Sequence, residues 1–359
     1  MQQRPAIIEA TKNFEAWLAR RTTIVPGDLK FKHDQMSADV FLFMRATFYR
    51  WIQRWQVDCP AAAQSPSVLA VGDLHIQNFG TWRDAEGRLI WGINDFDEAW
   101  PLPYLQDLLR LATSVHLLAA QGHLDIQTRE ACSLLLEGYR ERLERGGLPF
   151  VLGERHETLR RLALGDLKEP RTFWERLNGQ PLLRGKEMKD VPGILRRALP
   201  DRDLTPSFHQ RRSGLGSLGR QRFVALAQWR GGFVAREAKA RVASAVSWAT
   251  NASPRSYAEK LAKTAVHVPD PFLHFSSKWI LRRLAPDCSR IELRGLPSTA
   301  DAEQVLRAMG AETANVHVPT ATRALKRDVA KRTARWLHAQ AEVMAAAVLE
   351  DWKKWRENN

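Results

Sequence analysis

The sequence predicts an α+β fold of two lobes, a helix-rich large lobe and a small lobe built on an antiparallel sheet. The chain has 359 residues, which exceeds the usual size of a single hydrophobic core. Apolar residues recur at helical spacing over most of the chain, whereas 222–239 shows a β-hairpin pattern. These observations predict a helical lobe over 1–206, a strand-rich lobe over 207–295 and C-terminal helices over 296–359 that pack back on the helical lobe.

Predicted helices dominate the first half of the chain. Residues 5–20 and 37–56 carry apolar side chains three and four positions apart, which predicts amphipathic helices. Residues 104–121 are apolar on most faces and predict a largely buried helix. Residues 181–206 are rich in Pro, Gly and Arg and predict a linker with a short helix at the lobe boundary. Shorter helices are predicted at 126–145, 154–164 and 171–178.

The strand-rich lobe is predicted from a strong hairpin signal. Residues 222–229 and 233–239 alternate around the turn sequence Arg-Gly-Gly, as the strands of a hairpin do. Further strands are predicted at 278–284 and 290–293. Beyond residue 300 the pattern is helical again, and 325–355 predicts one long amphipathic helix.

Four polar side chains stand in a pattern typical of phosphoryl transfer. Asp73 and Asn78 are five residues apart, and Asp95 and Asp97 follow the apolar run 89–93, which predicts a buried strand after a hairpin turn. Five residues also separate the catalytic Asp from the metal-binding Asn in the kinase catalytic loop. Since Mg²⁺ prefers oxygen ligands, Asn78, Asp95 and Asp97 are predicted to bind Mg²⁺ or Mn²⁺, and Asp73 to orient the attacking hydroxyl.

A glycine-rich loop precedes the predicted hairpin. It precedes two strands, as the kinase loop over the phosphates does, and therefore predicts a site for ATP or GTP. The second strand offers Arg236 and Lys239, which lie on opposite faces of a regular strand, so that one of them points inward; Lys239 is favoured. Glu259, on a following helix, is the predicted partner of that cation. The predicted loop residues are Gly214, Gly216, Ser217 and Gly219.

The order of the two motifs is reversed relative to kinases. Asp73 precedes the glycine loop by about 140 residues, and the segment before Asp73 has helical spacing with no room for a strand-rich lobe. Because domain termini often lie close together, a circular permutation is sterically tolerable. The predicted fold is therefore a circularly permuted protein-kinase-like fold.

Two resemblances rest on these motifs. Gly-Asp-Leu-His-x-x-Asn, with Gly before Asp73, resembles the loop of aminoglycoside and choline phosphotransferases more than that of protein kinases. Over most of its length the chain resembles the bacterial family catalogued as domain of unknown function 2252, which implies family membership but no substrate. Members of that family usually show a Val-Lys-Glu-Ala-like strand where this chain has Ala235-Arg236-Glu237-Ala238. The resemblance is carried by residues 41–45, GDLHIQNFG, INDFDE, 107–112, GLGSLG, REAK and 308–317.

Four further residues are secondary candidates. Arg45 is expected to pair with the acidic centre or clamp a phosphate, although an ion pair on the helix surface fits equally. His75 is expected to orient the loop. Asp107 resembles the phosphotransferase Asp that braces the catalytic loop, with a simple first-turn Asp as the alternative. His317 lies in the last of the segments that carry the family resemblance.

The leading functional hypothesis is an ATP- or GTP-dependent phosphotransferase acting on an unknown small-molecule or protein hydroxyl. Val71-Gly72-Asp73-Leu74-His75 also looks like the opening motif of metallophosphoesterases, but the further ligand motifs of their two-metal sites do not follow. A non-catalytic basic protein that binds nucleic acid or acts as a scaffold is the third class. Its support is a net charge of +14 and a pI near 10.1.

The composition of the chain predicts its cellular environment. Three cysteines stand far apart, in no metal-binding spacing, which predicts a reducing compartment without disulfides or zinc. No stretch approaches 18 consecutive apolar residues, and the first 21 residues lack an apolar segment. The sequence therefore predicts a cytoplasmic protein without a membrane span.

Overall fold

The chain forms many helices and small antiparallel sheets, which confirms the α+β class. The computed structural model describes residues 6–124, 126–153, 155–185, 187–293 and 296–358. Residues 5 and 154, at which two predicted helices start, lie outside these ranges, as do the predicted boundaries at 1, 295 and 359. No helix in the described ranges is both long and apolar enough to cross a membrane.

The helices account for most of the regular structure. They are α1 (Ile7–Ala19), α2 (Pro26–Ala38), α3 (Val40–Ala46), α4 (Phe48–Asp58), α5 (Pro60–Ala63), α6 (Leu105–Ala120), α7 (Thr128–Glu144), α8 (Glu157–Gly165), α9 (Pro170–Asn178), α10 (Glu187–Ala198), α11 (Ala245–Ala249), α12 (Ala258–Thr264), α13 (Thr299–His317), α14 (Arg323–Lys331) and α15 (Ala334–Glu357).

In the described ranges the strands form three antiparallel sheets with the orders β1-β4, β2-β3-β5 and β6-β7-β8-β10-β9. They are β1 (Ser67–Ala70), β2 (Phe79–Arg83), β3 (Leu89–Ile93), β4 (Trp100–Pro103), β5 (Phe150–Val151), β6 (Ser207–Gln210), β7 (Arg222–Trp229), β8 (Gly232–Ala240), β9 (His274–Phe275) and β10 (Trp279–Leu284).

The predicted hairpin forms the centre of the largest sheet. β7 and β8 pair from Arg222 opposite Lys239 to Trp229 opposite Gly232. The two connecting residues, Arg230 and Gly231, have φ of 49° and 86°, which is the left-handed conformation that two-residue hairpin turns require. The helix predicted within the linker is α10, and it packs on this sheet through Val191 and Leu195.

Three predicted elements differ from the structure. Residues 291–293 form no strand. The helix predicted over 325–355 is two helices, because the Thr333 hydroxyl accepts a hydrogen bond from the Trp336 N–H and so caps a new helix. The helix predicted over 37–56 is likewise divided at Thr47, between α3 and α4. The capping side chain of Thr333, which apolar spacing does not record, sets the first of these boundaries. At Thr47 the hydroxyl donates back to Phe43 O at 2.7 Å and makes no cap.

The C-terminal helices pack on the helices that precede the large sheet. α13 lies along α7, and α15 lies against α6 and α7. A side chain at Gly138 or Gly310 would overlap the backbone of the facing helix at Arg307 or Leu135. The two glycines therefore allow α7 and α13 to approach at backbone distance, which fixes α13 behind the loop that carries Asp73.

Candidate functional site

The loop before β2 is held by the polar face of α6. The Asp107 carboxylate accepts hydrogen bonds from the Val71 and Gly72 N–H groups, at 2.7 and 2.9 Å. Two turns further on, the Ser114 hydroxyl accepts from the Ile76 N–H at 3.2 Å. Asp107 is fully buried, so these bonds are protected from water and fix the loop backbone. Asp107 thus braces the segment that carries Asp73.

A second contact extends this brace to α13. His317 Nε2 lies 3.0 Å from Asp107 Oδ2, and His317 Nδ1 lies 2.9 Å from the Tyr139 hydroxyl. Both His317 and Asp107 are fully buried. The chain Tyr139, His317, Asp107 therefore links α7, α13 and α6 to the loop.

Asp73 is bound by an arginine that the sequence analysis did not single out. Arg110 Nε donates to Asp73 Oδ1 at 2.8 Å, and Arg110 Nη2 donates to the same oxygen and to Met44 O. The guanidinium lies over the Phe48 and Trp51 rings, with its carbon 5.1 and 4.9 Å from their centroids. Arg110 follows Asp107 by one helical turn, and this spacing on one helix face was the available signal.

Burial raises the pKa of the Asp73 carboxyl to about 7; Arg110 opposes the shift, whereas Glu98 and Asp95 add to it. The second carboxylate oxygen faces the glycine loop, since a Cβ at Gly216 would lie 3.5 Å from Asp73 Oδ2. The two motifs, about 140 residues apart in sequence, therefore meet in space.

Lys239 meets the two acids that follow β3. Its Nζ lies 3.3 and 3.4 Å from the Asp95 carboxylate oxygens and 2.5 Å from Asp97 Oδ2. Burial alone would raise the pKa of Asp95, but Lys239 and Arg282 hold it below its usual range. Asp95 is therefore a carboxylate at neutral pH, paired with the cation of β8.

Arg236 and Glu259 do not reach the site. Arg236 points to the other face of β8, where its Nε donates to Ala198 O at 2.8 Å and its guanidinium lies over the Phe272 ring. The alternation of a regular strand produces this separation from Lys239. Glu259 accepts from Arg241 and Lys263 instead of Lys239.

Glu237, which the sequence analysis did not select, occupies the same face as Lys239. It is fully buried and pairs with Arg211, Arg222 at 3.0 Å and Arg282 at 2.7 Å. Although its own burial opposes the shift, Arg222 and the other two arginines hold the pKa of Glu237 well below its usual range. Glu237 therefore fixes three guanidinium groups at the wall of the site.

The glycine loop is shaped by its glycines and fixed at both ends. Gly214 and Gly219 have φ of 73° and 89°, a region that other residues seldom adopt. Arg222 Nη2 donates to the Ser217 hydroxyl at 2.8 Å, and the Val25 N–H donates to Gly219 O at 2.8 Å. Gly214, Gly216 and Ser217 line the cavity described below, whereas Gly219 contributes through its backbone contact.

His75 and Asn78 stabilise the loop internally. The His75 N–H donates to Asn78 Oδ1 at 3.0 Å, and the Gln77 N–H donates to His75 Nδ1 at 3.1 Å. Burial, together with Arg45 and Arg110, holds the pKa of His75 well below its usual value. His75 is therefore a neutral ring with an orienting role, and the amide oxygen of Asn78 has one remaining lone pair.

These residues surround a cavity of about 590 Å³, a size common for small-molecule sites. Basic side chains outnumber acidic ones in its lining, by eleven to seven. The basic residues are Lys32, Arg45, Lys168, Arg176, Arg211, Arg212, Arg220, Arg222, Arg282, Arg283 and Arg290, and the acidic ones are Asp73, Asp95, Asp97, Glu98, Asp166, Asp270 and Glu292. Lys239 lies beside this cavity, in a small pocket that shares Asp95 and Asp97.

The oxygen donors of the site fit a cation shared with a ligand. Within the described ranges, no three His, Cys, Asp or Glu side chains are grouped to hold a metal ion. Asp95 and Asp97 supply two carboxylates beside Asn78. Mg²⁺ commonly takes one or two carboxylates and completes its shell with water and substrate phosphates, so the donor set suits that arrangement better than an all-protein cage.

Comparison with known proteins gives one family match over part of the chain and no activity. Residues 21–150 match the family described as "Uncharacterized protein conserved in bacteria (DUF2252)". The matched part includes Asp73, Asn78, Asp95, Asp107 and Arg110. No curated protein and no solved structure matches the chain.

Proposed function

We propose that the protein is a phosphotransferase that uses ATP or GTP with Mg²⁺ to phosphorylate a hydroxyl acceptor. One observation carries this proposal: Asp73, the pair Asp95 and Asp97, and the glycine loop line one cavity, with Lys239 bound to the acids. These groups come from distant parts of the chain, and each has a defined role in phosphoryl transfer.

Asp73 is assigned to the acceptor hydroxyl. A base works best when its pKa lies near the operating pH, and the pKa of Asp73 is raised to about 7. Arg110 holds one oxygen of the carboxylate, which leaves the other to accept the hydroxyl proton. Arg110 is a positioning residue in this scheme.

The phosphates are assigned to the wall built by the glycine loop and the large sheet. Lys239, the Arg222 guanidinium and the loop backbone supply positive charge and N–H donors there. Asp95, Asp97 and Asn78 would hold Mg²⁺, which neutralises phosphate charge when bound.

The chain order favours a circularly permuted kinase-like arrangement. The loop with Asp73 and the acids after β3 come first, and the glycine loop leads into β7 and β8 afterwards. In kinases the glycine loop and its strands come first. The spatial meeting of Gly216 with Asp73 supports joining the two motifs into one site in spite of their order.

No observation favours the two other classes over this one. A two-metal phosphoesterase requires a larger ligand set than the described residues group together. The net charge of +14 is compatible with nucleic-acid binding, but eleven of the basic side chains line one cavity, which suits a small anionic ligand.

Calorimetric titration with Mg-ATP and Mg-GTP tests the proposal. The wild type is expected to bind one of the two nucleotides. Asp95→Asn is expected to weaken this binding, because it removes charge from the cation site. Asp34→Asn, an exposed residue on α2, is the control and should bind like the wild type. Failure of the folded wild type to bind either nucleotide contradicts the proposal.

A further inference from the structure

Two cations flank Asp73 without a carboxylate partner. Lys32, on α2, and Arg45, on α3, both line the cavity. No carboxylate in the described part of the chain forms an ion pair with either one. The other basic groups deep in the cavity, such as Arg220 and Arg222, are paired with Glu98, Asp97 or Glu237.

Lys32 is the more unusual of the two. Only 4 % of the residue is exposed, and no hydrogen-bond acceptor in the described ranges contacts its ammonium group. Lysine is almost never buried in this way unless it is paired, because an uncompensated buried charge costs several kcal/mol. Burial lowers the pKa of Lys32 to about 8, as Arg220 also does, although Glu15, Glu98 and Asp73 oppose the shift.

Arg45, like Lys32, has no carboxylate partner in the described ranges. Its Nε lies 3.4 Å from the neutral ring of His75, which supplies no negative charge. Burial and Arg290 lower the pKa of Arg45 to about 10, and Asp73 opposes the shift. Both cations therefore interact with Asp73 across the cavity, and Asp73 is itself neutralised by Arg110.

We propose that Lys32 and Arg45 bind a phosphate group carried by the acceptor substrate, beside the hydroxyl that Asp73 activates. This inference rests on the proposed phosphotransferase activity, because only that activity makes the phosphate-bearing ligand an acceptor substrate. A phosphomonoester carries about two negative charges at neutral pH and balances one lysine and one arginine, whereas a carboxylate balances one. The guanidinium fork of Arg45 suits a phosphate geometrically.

Lys32 and Arg45 lie on neighbouring helices, which hold the two side chains at one site. Lys32 and Arg45 come from consecutive helices that pack on each other, and α3 also contacts the glycine loop. The cations are thus positioned by the backbone, before a ligand arrives. A ligand that binds a preorganised site loses less free energy to ordering.

Calorimetric titration of the full chain with inorganic phosphate tests the inference. Lys32→Gln and Arg45→Gln are each expected to raise the Kd by about tenfold or more, the usual effect of losing a charge-assisted hydrogen bond. Lys30→Gln, an exposed lysine on the same helix, and Arg335→Gln, an exposed arginine on α15, are matched controls and should bind like the wild type. Equal phosphate affinity in all five proteins overturns the inference.

A second titration separates this site from the nucleotide site. Phosphate is expected to bind the wild type with similar affinity when Mg-ADP is saturating. Competition between the two overturns the assignment to the acceptor, since the cations then belong to the nucleotide site. If Mg-ADP does not bind but phosphate affinity still depends on Lys32 and Arg45, the anion site stands and the phosphotransferase proposal fails. Acetate that binds as tightly as phosphate overturns the choice of phosphate.

Discussion

At the scale of single residues, the two acids of the site are expected to do different jobs. Asp73→Asn should leave Mg-ATP binding nearly intact and lower turnover by about 10²–10⁴-fold, the usual contribution of an acid–base group. The Asn side chain still accepts a hydrogen bond from Arg110, so the fold should persist, with lower stability because the buried Arg110 loses its charge partner. Calorimetry and ADP release measure the two effects. Wild-type turnover in this variant would show that Asp73 is not the base.

Asp95→Asn should show the opposite pattern. Loss of one carboxylate from the donor set should weaken nucleotide binding and make it less dependent on Mg²⁺. Titrations with and without Mg²⁺ measure this dependence, with Asp34→Asn as the control. An unchanged dependence on Mg²⁺ would place the cation elsewhere.

The pH dependence of turnover should report Asp73. Because its pKa is raised to about 7, kcat/KM should rise with pH as the carboxyl loses its proton near pH 7. Arg110 lowers this pKa, so Arg110→Gln should move the rise to higher pH. Measurement of kcat/KM from pH 5 to 9 tests the shift. A rise at the same pH in the variant would mean that another group titrates.

Lys32 should lower stability below its unfolded pKa. In the folded protein its pKa is about 8 against an ordinary 10.5, so between these values the unfolded chain binds more protons and stability rises with pH. Glu15, Glu98, Asp73 and Arg220 face it. Lys32→Met should therefore stabilise the protein at pH 7, by about 1–3 kcal/mol, and reduce the rise between pH 8 and 10.5. Urea unfolding measures both; a less stable variant contradicts the argument.

The site residues that could be predicted from the sequence are those whose signal lies within a short segment of the chain. Asp73 and Asn78 stand at a characteristic spacing, and strand alternation predicted that Arg236 and Lys239 lie on opposite faces of β8, where their contacts place them. Arg110 and Lys32 were missed because a single cation in a helical segment looks like an ordinary surface residue. Burial imposed by tertiary packing distinguishes both, and for Arg110 the spacing of one helical turn from Asp107 was the only local signal.

At the scale of elements, α15 is fixed to α4 by a buried ion pair. Asp351 accepts from Arg50 Nε and Nη2 at 2.8 and 3.1 Å, and Arg54 lies 3.2 Å away. Breaking a buried pair leaves an uncompensated charge, so Asp351→Asn should lower the free energy of unfolding by about 3 kcal/mol. The neighbouring Glu350, half exposed, is the control, and Glu350→Gln should cost less than about 1 kcal/mol. Equal losses would contradict this account.

Element boundaries were predicted less well than element types. The hairpin of β7 and β8 was predicted correctly because its turn residues and alternation are local. The long helix over 325–355 was wrong because the apolar spacing runs through Thr333, whose capping contact divides it. The strand over 290–293 was wrong because a short apolar pattern does not record whether a partner strand exists.

At the scale of the whole molecule, the cavity lies where the large sheet meets the helices. Lys239 of β8 pairs with Asp95 and Asp97, and the Glu98 carboxylate accepts from the Ser244 hydroxyl and the Ala245 N–H at 2.9 and 2.6 Å. A ligand in this cavity contacts both the large sheet and the helices, and it stabilises the folded chain by mass action. Mg-ATP or Mg-GTP at about 100 times its Kd should contribute roughly 2.7 kcal/mol, which raises the Tm by about 4 °C for a chain of this length.

Two substitutions on one strand provide the sharpest form of this prediction. Lys239→Gln removes the cation that pairs with Asp95 and Asp97 beside the cavity and should abolish most of the nucleotide-dependent rise in Tm. Arg236→Gln removes a cation from the opposite face of β8, where it contacts Ala198 O, and should retain the full rise even if the variant itself is less stable. Thermal unfolding with and without nucleotide measures both. If Arg236→Gln loses the rise and Lys239→Gln keeps it, the sheet presents its other face to the phosphates and the assigned nucleotide site is wrong.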